Sequence, residues 1–266
     1  MSTFEFETLD VRVDQMICTV TLNRPKRLNA MSLKMRRELG DCFAAIADDT
    51  AIHVVVLTGA GAAFCSGGDI NDFSGKTSEE MHTLMARTSH RWFRSFWNLP
   101  QPVIAAVNGA AAGGGCNLAL ACDLVYASEA AYFCQTFMEI GLVPDLGGAF
   151  LLPRLIGPAW AKELAFFGER VTGAQAAAMG LVNAVFEPSR LMDEVMARAR
   201  RLAARPASAV SLMKRMMNRA FESSMEAVLD DELAAQSFLF GTADNRAGVG
   251  RFLAARKPAN EPSTDA

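Results

Sequence analysis

The chain has 266 residues, of which 51% are hydrophobic, so it can bury a sizeable core in one large domain or two modest ones. Its net charge of −3 argues against a nucleic-acid-binding protein, whose binding face is basic. The cysteines include no C-x-x-C pair, which disfavours a metal site and fits a reducing cytoplasm. The first residues lack the features of a signal peptide, and polar residues interrupt the longest apolar stretch, 103–127. We therefore expect a cytoplasmic protein that does not bind membranes.

The first half of the sequence predicts strands and helices in alternation. Residues 4–13 alternate in polarity, residues 16–22 are apolar, and the polar pair between them predicts a hairpin. Ser32 is a suitable N-cap for a helix that runs to about residue 47 with a mixed apolar and basic face. The other predicted elements are strands over 52–58, 102–107, 124–127 and 131–133, helices over 78–98 and 113–121, and a glycine-rich loop over 59–75. The pattern predicts a mixed α/β core.

The second half is predicted to be largely helical. Thr172 and Gln175 form a capping box at the start of one helix. The predicted helices cover about 159–167, 173–179, 189–204, 207–219, 222–239 and 243–255. This pattern divides the chain into a core (1–190), a helical arm (191–257) and a loose tail (258–266).

The helical arm is predicted to mediate trimerisation. It carries more large apolar side chains than a free surface accommodates. They include Phe238, Leu239, Phe240, Phe252 and Leu253. The alternative, in which the arm folds back on its own core, is equally compatible with the sequence.

Two glycine-rich turns each follow a predicted strand. The first is Phe64–Ile70 and the second is Asn108–Leu118. Glycine lets a backbone approach a ligand closely, and a glycine run that opens a helix points free N–H groups at an anion. Two such groups that converge on one carbonyl oxygen would form an oxyanion hole. The alternative is that both segments are merely tight turns between a strand and a helix.

Two other glycine-dependent activities fit the sequence poorly. Gly59 and Gly61 begin the dinucleotide-binding pattern G-x-G-x-x-G, but Phe64 stands where the third glycine should be. The strand that should end in an acidic residue about 20 residues later is not evident. The serine-hydrolase motif G-x-S-x-G would also need a glycine at Phe64, so Ser66 is not indicated as a nucleophile.

A longer series of motifs resembles the enoyl-CoA hydratase/isomerase (crotonase) superfamily over essentially the whole chain. In order, the motifs are Asn23–Ala30, the first glycine turn, Pro102–Gly109, the triple-glycine turn, Gly141–Gly148, Gly180–Val182 and Gly248–Leu253. The resemblance implies a ββα spiral core with a C-terminal helical arm, assembled as trimers or paired trimers. It also implies an acyl-CoA thioester substrate, an enolate intermediate and no cofactor besides the CoA that the substrate carries.

The resemblance implies roles for individual residues as well. The N–H groups of Gly68 and Gly114 would form the oxyanion hole. The other implied substrate contacts are Lys26, Arg27 and Leu28 at the CoA 3′-phosphate and adenine, Ser66, Asp69 and Ile70 in the first glycine turn, and Phe252 and Lys257 in the arm segment that reaches a neighbour's CoA. The family's usual lysine in that arm segment falls at Ala255.

The acid and base groups distinguish the reactions of this superfamily. Hydratases use two glutamates to activate water, at positions where this chain has Asn117 and Phe137. Isomerase-type relatives, including those acting on ring-opened phenylacetyl-CoA derivatives, carry a catalytic aspartate at the position of Asp145. One carboxylate can take a proton from one carbon of a dienolate and return it two carbons away. The resemblance therefore favours an enoyl-CoA isomerase with Phe137 lining its acyl pocket, and an N-cap role for Asp145 is the structural alternative.

Three other functions stay open. The chain could be a hydratase or lyase whose acid and base groups are displaced, for example to Glu139. It could be a dehalogenase-like hydrolase in which His90 partners Asp145 as nucleophile, although such relatives carry a tryptophan at the position of Phe137. It could also be a non-catalytic acyl-CoA binder or an RNA-associated member of the superfamily. The presence of Asp145 together with both glycine turns argues against the last of these.

Overall fold

The computed structural model describes residues 5–256. The chain divides into two compact units between Ala204 and Arg205. The first unit extends beyond the predicted core, because the helix over Leu191–Ala203 packs its apolar face on the central sheet. The predicted tail over 258–266 and Lys257 lie outside the described residues.

The first unit is built on two sheets. The strands of the described chain are β1 (Leu9–Asp14), β2 (Ile17–Leu22), β3 (Val54–Gly59), β4 (Ala63–Cys65), β5 (Val103–Val107), β6 (Ala110–Ala112), β7 (Leu124–Ser128), β8 (Tyr132–Cys134), β9 (Val171–Thr172) and β10 (Ala184–Phe186). The larger sheet has the order β1-β2-β3-β5-β7-β10. Its first two strands form the predicted antiparallel hairpin, and the later neighbours pair in parallel. Strands β3 and β5 are buried along their length, as expected where both faces are covered.

The smaller sheet, in the order β4-β6-β8-β9, positions the two glycine turns. β4 and β6 run parallel with Cys65 opposite Ala111, and β6 pairs in parallel with β8. Because parallel neighbours end at the same edge of a sheet, the turns that follow β4 and β6 emerge side by side. The sequence analysis assigned β4 and β6 to loops, since strands of three residues show no periodicity.

Helices of the first unit cover both faces of the larger sheet. The helices of the described chain are α1 (Leu33–Asp48), α2 (Ser78–Leu84), α3 (His90–Trp97), α4 (Gly114–Leu120), α5 (Gly148–Phe167), α6 (Gly173–Ala178), α7 (Leu191–Ala203), α8 (Ala207–Arg219), α9 (Met225–Leu239) and α10 (Ala243–Ala254). Ser32 caps α1 as predicted, its hydroxyl accepting a hydrogen bond from the N–H of Met35. Phe43 of α1 packs against Phe96 of α3 on one face, and α7 covers the other.

Two helices differ from their predicted form. The sequence predicts one helix over 78–98, and the structure has α2 and α3 joined by a π-helical segment over Met85–Ser89. The N-cap of α2 is Thr77, which forms a capping box with Glu80. Helix α5 begins well before the predicted residue 159 and is broken at Gly157, where the backbone leaves helical geometry. The missed first part of α5 contains Pro153, which masks its helical pattern.

The described part of the second unit, residues 205–256, is built on α8, α9 and α10 and contains no buried residue. Its strongly exposed apolar side chains are Met213, Met217, Phe221, Met225, Leu229, Leu233, Phe238, Phe240, Val249, Phe252 and Leu253. Exposed apolar surface on this scale is typical of interaction surfaces, and the assembly role of the arm stays a prediction. Within residues 5–256, no helix is both long and apolar enough to cross a membrane.

Candidate active site

The two glycine turns touch each other. The N–H of Met31 donates to the Gly67 carbonyl over 2.8 Å, which fixes the first turn against the segment that precedes α1. Gly67 has a φ of 101°, and a β-carbon built on it would lie 3.4 Å from the nitrogen of Gly114. A side chain at Gly67 would therefore be strained and would crowd the start of α4.

Two backbone N–H groups remain unpaired at this contact. Gly114 is the first residue of α4, and the preceding Gly113, with a φ of 51°, is anchored by its own N–H to the Cys134 carbonyl over 2.9 Å. Within the described residues, neither the N–H of Gly114 nor that of Gly68 donates a hydrogen bond. Unpaired N–H groups from two adjoining turns are the elements of an oxyanion hole.

The Asp145 carboxylate lies directly beside the second turn. A β-carbon built on Gly114 would lie 2.9 Å from Oδ1 of Asp145. Oδ1 is buried and, within the described residues, accepts no hydrogen bond. The N-cap of α5 is Gly147, without a side-chain cap, and Asp145 contributes only its backbone carbonyl to the N–H of Gly148. The N-cap alternative for the Asp145 side chain is therefore wrong.

Burial makes the Asp145 carboxylate more basic than an ordinary aspartate. Desolvation raises its pKa, and the charges of Arg36 and then His90 oppose part of that rise. A buried carboxylate with a free oxygen and a raised pKa has the properties of a general base.

Asn117 holds the turn that carries Asp145. Its Nδ2 donates to the Asp145 carbonyl over 2.8 Å, and its Oδ1 accepts from Nε2 of Gln135 over 2.9 Å. Asn117 and Gln135 are fully buried. Because Asn117 lies on the helix that begins with Gly114, it joins the proposed oxyanion donor to the candidate base. A β-carbon on Gly148 would lie 2.4 Å from Asn117 Nδ2, so position 148 must be glycine.

Apolar side chains occupy the positions implied to line the acyl site. Phe137 is buried, and its ring packs near the second glycine turn, 3.8 Å from the position of a β-carbon on Gly113. Leu142, Val143 and Ile70 are exposed at the positions implied to border the substrate. Asn117 and Phe137, at the two positions implied to hold glutamates in hydratases, therefore supply no carboxylate at the glycine turns.

The segment implied to bind CoA is fastened to the first glycine turn. Lys26 and Arg27 lie exposed on a 3₁₀ turn, followed by Leu28 in a left-handed conformation with its side chain exposed. The N–H of Ser66 donates to the Leu28 carbonyl over 3.0 Å. The Asp69 carboxylate forms an ion pair with Arg24 over 3.0 Å, so it joins the two segments to each other.

The remaining candidates occupy different places. His90 is exposed at the start of α3, close enough to Asp145 to act on its charge, and Glu139 is exposed on a 3₁₀ turn. Phe252 is exposed on α10 of the second unit, with the Arg256 guanidinium 4.9 Å from its ring centroid.

Arg36 and Asn117 contribute to this site, although the sequence does not mark either as a site residue. Arg36 is 3% exposed, inside the site, although α1 was predicted only to have a mixed face. Its position, three residues before Leu39 and seven before Phe43, is the one signal that could have shown it to face inward. The sequence indicates only that Asn117 stands where hydratases have a glutamate. Its neighbours in the sequence do not show that its side chain donates a hydrogen bond to the Asp145 carbonyl.

The family model described as enoyl-CoA hydratase/isomerase matches residues 12–262. The chain is 38% identical over 249 residues to a 1,2-epoxyphenylacetyl-CoA isomerase of Escherichia coli K12, covering 92% of this chain and 95% of the relative. It is 34% identical over 253 residues to a crotonyl-CoA hydratase of Syntrophomonas wolfei, covering 95% and 97%. The crystal structure of an enoyl-CoA hydratase from Mycobacterium smegmatis superposes with a TM-score of 0.89 at 33% identity, covering 95% and 98%. The predicted fold is confirmed.

Proposed function

Because the chain belongs to the enoyl-CoA hydratase/isomerase family, we propose that it is an enoyl-CoA double-bond isomerase that uses Asp145 as its only acid/base group. The observation that carries this proposal is the position of the carboxylate. Oδ1 of Asp145 is buried, unpaired and adjacent to Gly114, while Asn117 and Phe137 occupy the two positions implied to hold hydratase glutamates.

The reaction moves one proton between two carbons of the acyl chain. The ionised Asp145 removes a proton from the carbon next to the thioester of a 3-enoyl-CoA, and the C–H electron pair forms a dienolate. The negative charge gathers on the thioester oxygen, where the N–H groups of Gly68 and Gly114 stabilise it. The protonated Asp145 then returns the proton two carbons away, which leaves a conjugated 2-enoyl-CoA and restores the carboxylate.

The distinguishing experiment compares double-bond migration with hydration. We expect isomerisation of 3-hexenoyl-CoA to exceed hydration of crotonyl-CoA by at least about two orders of magnitude, because a missing general base typically costs 10²–10⁴-fold. The absorbance of the conjugated thioester rises in the first reaction and falls in the second, so one assay measures both. Hydration at a rate comparable with isomerisation would overturn the proposal and favour the displaced-base alternative that begins with Glu139.

The substrate class extends this proposal. The E. coli relative is named for isomerising 1,2-epoxyphenylacetyl-CoA. The buried ring of Phe137 and the apolar side chains of Leu142 and Val143 suit an acyl group derived from an aromatic acid as well as an aliphatic one. Assay of ring-opened phenylacetyl-CoA derivatives beside 3-hexenoyl-CoA would separate a role in aromatic acid degradation from one in fatty acid metabolism.

The assembly that we propose is a homotrimer or a dimer of trimers in the cytoplasm. Its basis is the exposed apolar surface of α8, α9 and α10, which includes Phe238, Phe240 and Phe252. Sedimentation velocity at micromolar concentration should show a trimer or hexamer and little monomer. A stable monomer would contradict this and would remove Phe252 from the substrate contacts.

A further inference from the structure

Arg36 is a buried cation that no step of the proposed reaction uses. It lies on α1 with 3% exposure. Its Nε donates to the Met31 carbonyl over 3.2 Å and its Nη1 donates to the Ser89 hydroxyl, which is itself fully buried. Within the described residues it forms no ion pair, and its Nη2 donates no hydrogen bond. Burying a charge without a partner is costly, so its presence calls for a compensating use.

The free end of this guanidinium lies against the first oxyanion donor. A β-carbon built on Gly68 would lie 2.8 Å from Nη2 of Arg36 and 2.7 Å from the ring of Phe73. The same ring lies 4.8 Å from the guanidinium carbon, which holds the cation in place. Arg36 therefore adjoins Gly68 in the way that the Asp145 carboxylate adjoins Gly114.

The two buried charges, one beside each glycine turn, act on each other. Burial lowers the pKa of Arg36, and Asp145 is the charge that opposes this most, followed by Cys65, Asp72 and Asp69. Conversely, Arg36 is the charge that most opposes the raised pKa of Asp145, and His90 of α3 is the second. Among the described residues, Arg36 is thus the charge with the largest effect on the candidate base, although the two side chains form no ion pair.

We propose that Arg36 is a positioning residue of the enolate site: a fixed positive charge that faces ionised Asp145 before proton transfer and the enolate oxygen after it. The inference rests on the proposed isomerase function. When Asp145 takes the proton it becomes neutral, and one negative charge appears on the thioester oxygen held by Gly68 and Gly114. The step moves one negative charge from Asp145 to the thioester oxygen, and Arg36 is the same fixed cation beside both, so little electrostatic reorganisation is required.

The test replaces Arg36 by neutral and by charged side chains. Arg36→Met keeps the length of the side chain and removes the charge, Arg36→Gln also keeps hydrogen-bonding capacity, and Arg36→Lys keeps the charge. An opposite charge within about 4–6 Å lowers the pKa of an aspartate by roughly 1–3 units. We therefore expect the acid limb of the kcat/KM profile to move to higher pH by at least about one unit in both neutral variants, with Lys restoring most of the wild-type profile.

The sign of this shift follows from the role of the base. Asp145 acts when ionised, so activity is present above its pKa and is lost as the pH falls through it. Removing Arg36 raises that pKa, so activity falls most at pH values below the new pKa and is spared at alkaline pH. The pH profiles are repeated in a His90→Asn background, and an acid limb that persists there cannot arise from His90. Arg37→Met, which removes an exposed charge one residue away, should leave the limb in place.

Two outcomes would overturn the inference. If the neutral variants lose activity and melting temperature with an unmoved acid limb, Arg36 is only a packing residue. If Arg36→Lys is as impaired as Arg36→Met, charge is not what the site requires. Titration of ¹³C-labelled aspartate by NMR reads the Asp145 carboxyl directly. A higher Asp145 pKa in Arg36→Met than in the wild type would support the charge coupling even if the protein catalyses no isomerisation. Failure of the proposed function can therefore be distinguished from failure of this inference.

Discussion

Asp145→Asn should abolish double-bond migration while the protein still binds CoA thioesters. Asparagine keeps the shape of the side chain but cannot accept a proton from carbon, and loss of a general base typically costs about 10²–10⁴-fold in rate. The CoA segment and the N–H groups of Gly68 and Gly114 are untouched by this change. The measurement is kcat with 3-hexenoyl-CoA, together with the dissociation constant of a CoA thioester from calorimetry.

Thermal stability provides the control for misfolding. Because burial raises the folded-state pKa of Asp145 above its unfolded value, its ionisation at neutral pH costs folding free energy, and the neutral amide avoids that cost. The Asp145→Asn protein should therefore melt at the same temperature as the wild type or higher.

His90→Ala separates the isomerase from the dehalogenase-like alternative. His90 is exposed and acts on Asp145 only through its charge, so most isomerase activity should survive its removal. Complete loss of activity in His90→Ala would favour the alternative in which Asp145 is a nucleophile.

Undiminished turnover of the Asp145→Asn protein would contradict the assignment of Asp145 as the base.

Gly114→Pro should lower kcat by about 10²–10³-fold, the usual effect of losing one oxyanion-hole donor. Proline lacks the N–H that Gly114 presents. The first position of a helix tolerates proline, because its N–H has no partner inside the helix. The backbone of α4 should therefore survive the change.

The geometry requires a matched control for this variant. Any β-carbon at position 114 would lie 2.9 Å from Asp145 Oδ1 and 3.2 Å from Met31 Cε, so proline disturbs the base as well as removing the donor. Gly114→Ala introduces the same β-carbon and keeps the N–H. The ratio of the two kcat values isolates the hydrogen bond. Equal turnover of the alanine and proline proteins would show that this N–H does not stabilise the reacting charge.

The elements with strong local signals were predictable from the sequence. The hairpin of β1 and β2, the capped helix α1 and the capping box at Thr172 all formed as expected, because each depends on residues within a few positions of one another. The juxtaposition of Gly114 and Asp145 followed only from resemblance to a superfamily, since no periodicity connects two segments so far apart in the chain.

What the sequence did not predict depends on tertiary packing. Strands β4 and β6 have three residues each and exist because they pair with each other. Arg36 is buried because Ser89, Met31 and Phe73 surround it, although an arginine on a helix is ordinarily exposed. Asn117 bonds the carbonyl of Asp145 across 28 positions of sequence. In each case the partner that decides the residue's role comes from another part of the chain.

The hydrogen bond of the Asn117 amide limits which substitutions could turn this acid/base arrangement into one with two glutamates. The position that would have to supply one hydratase glutamate already holds the turn of the candidate base, and the Asn117 side chain fills the space against Gly148. Exchange of Asn117 for glutamate would remove the amide that donates to the Asp145 carbonyl and so would loosen the turn that carries the candidate base. A glutamate at position 117 would therefore need a new donor for the Asp145 carbonyl, which makes the order of substitutions as important as their identity.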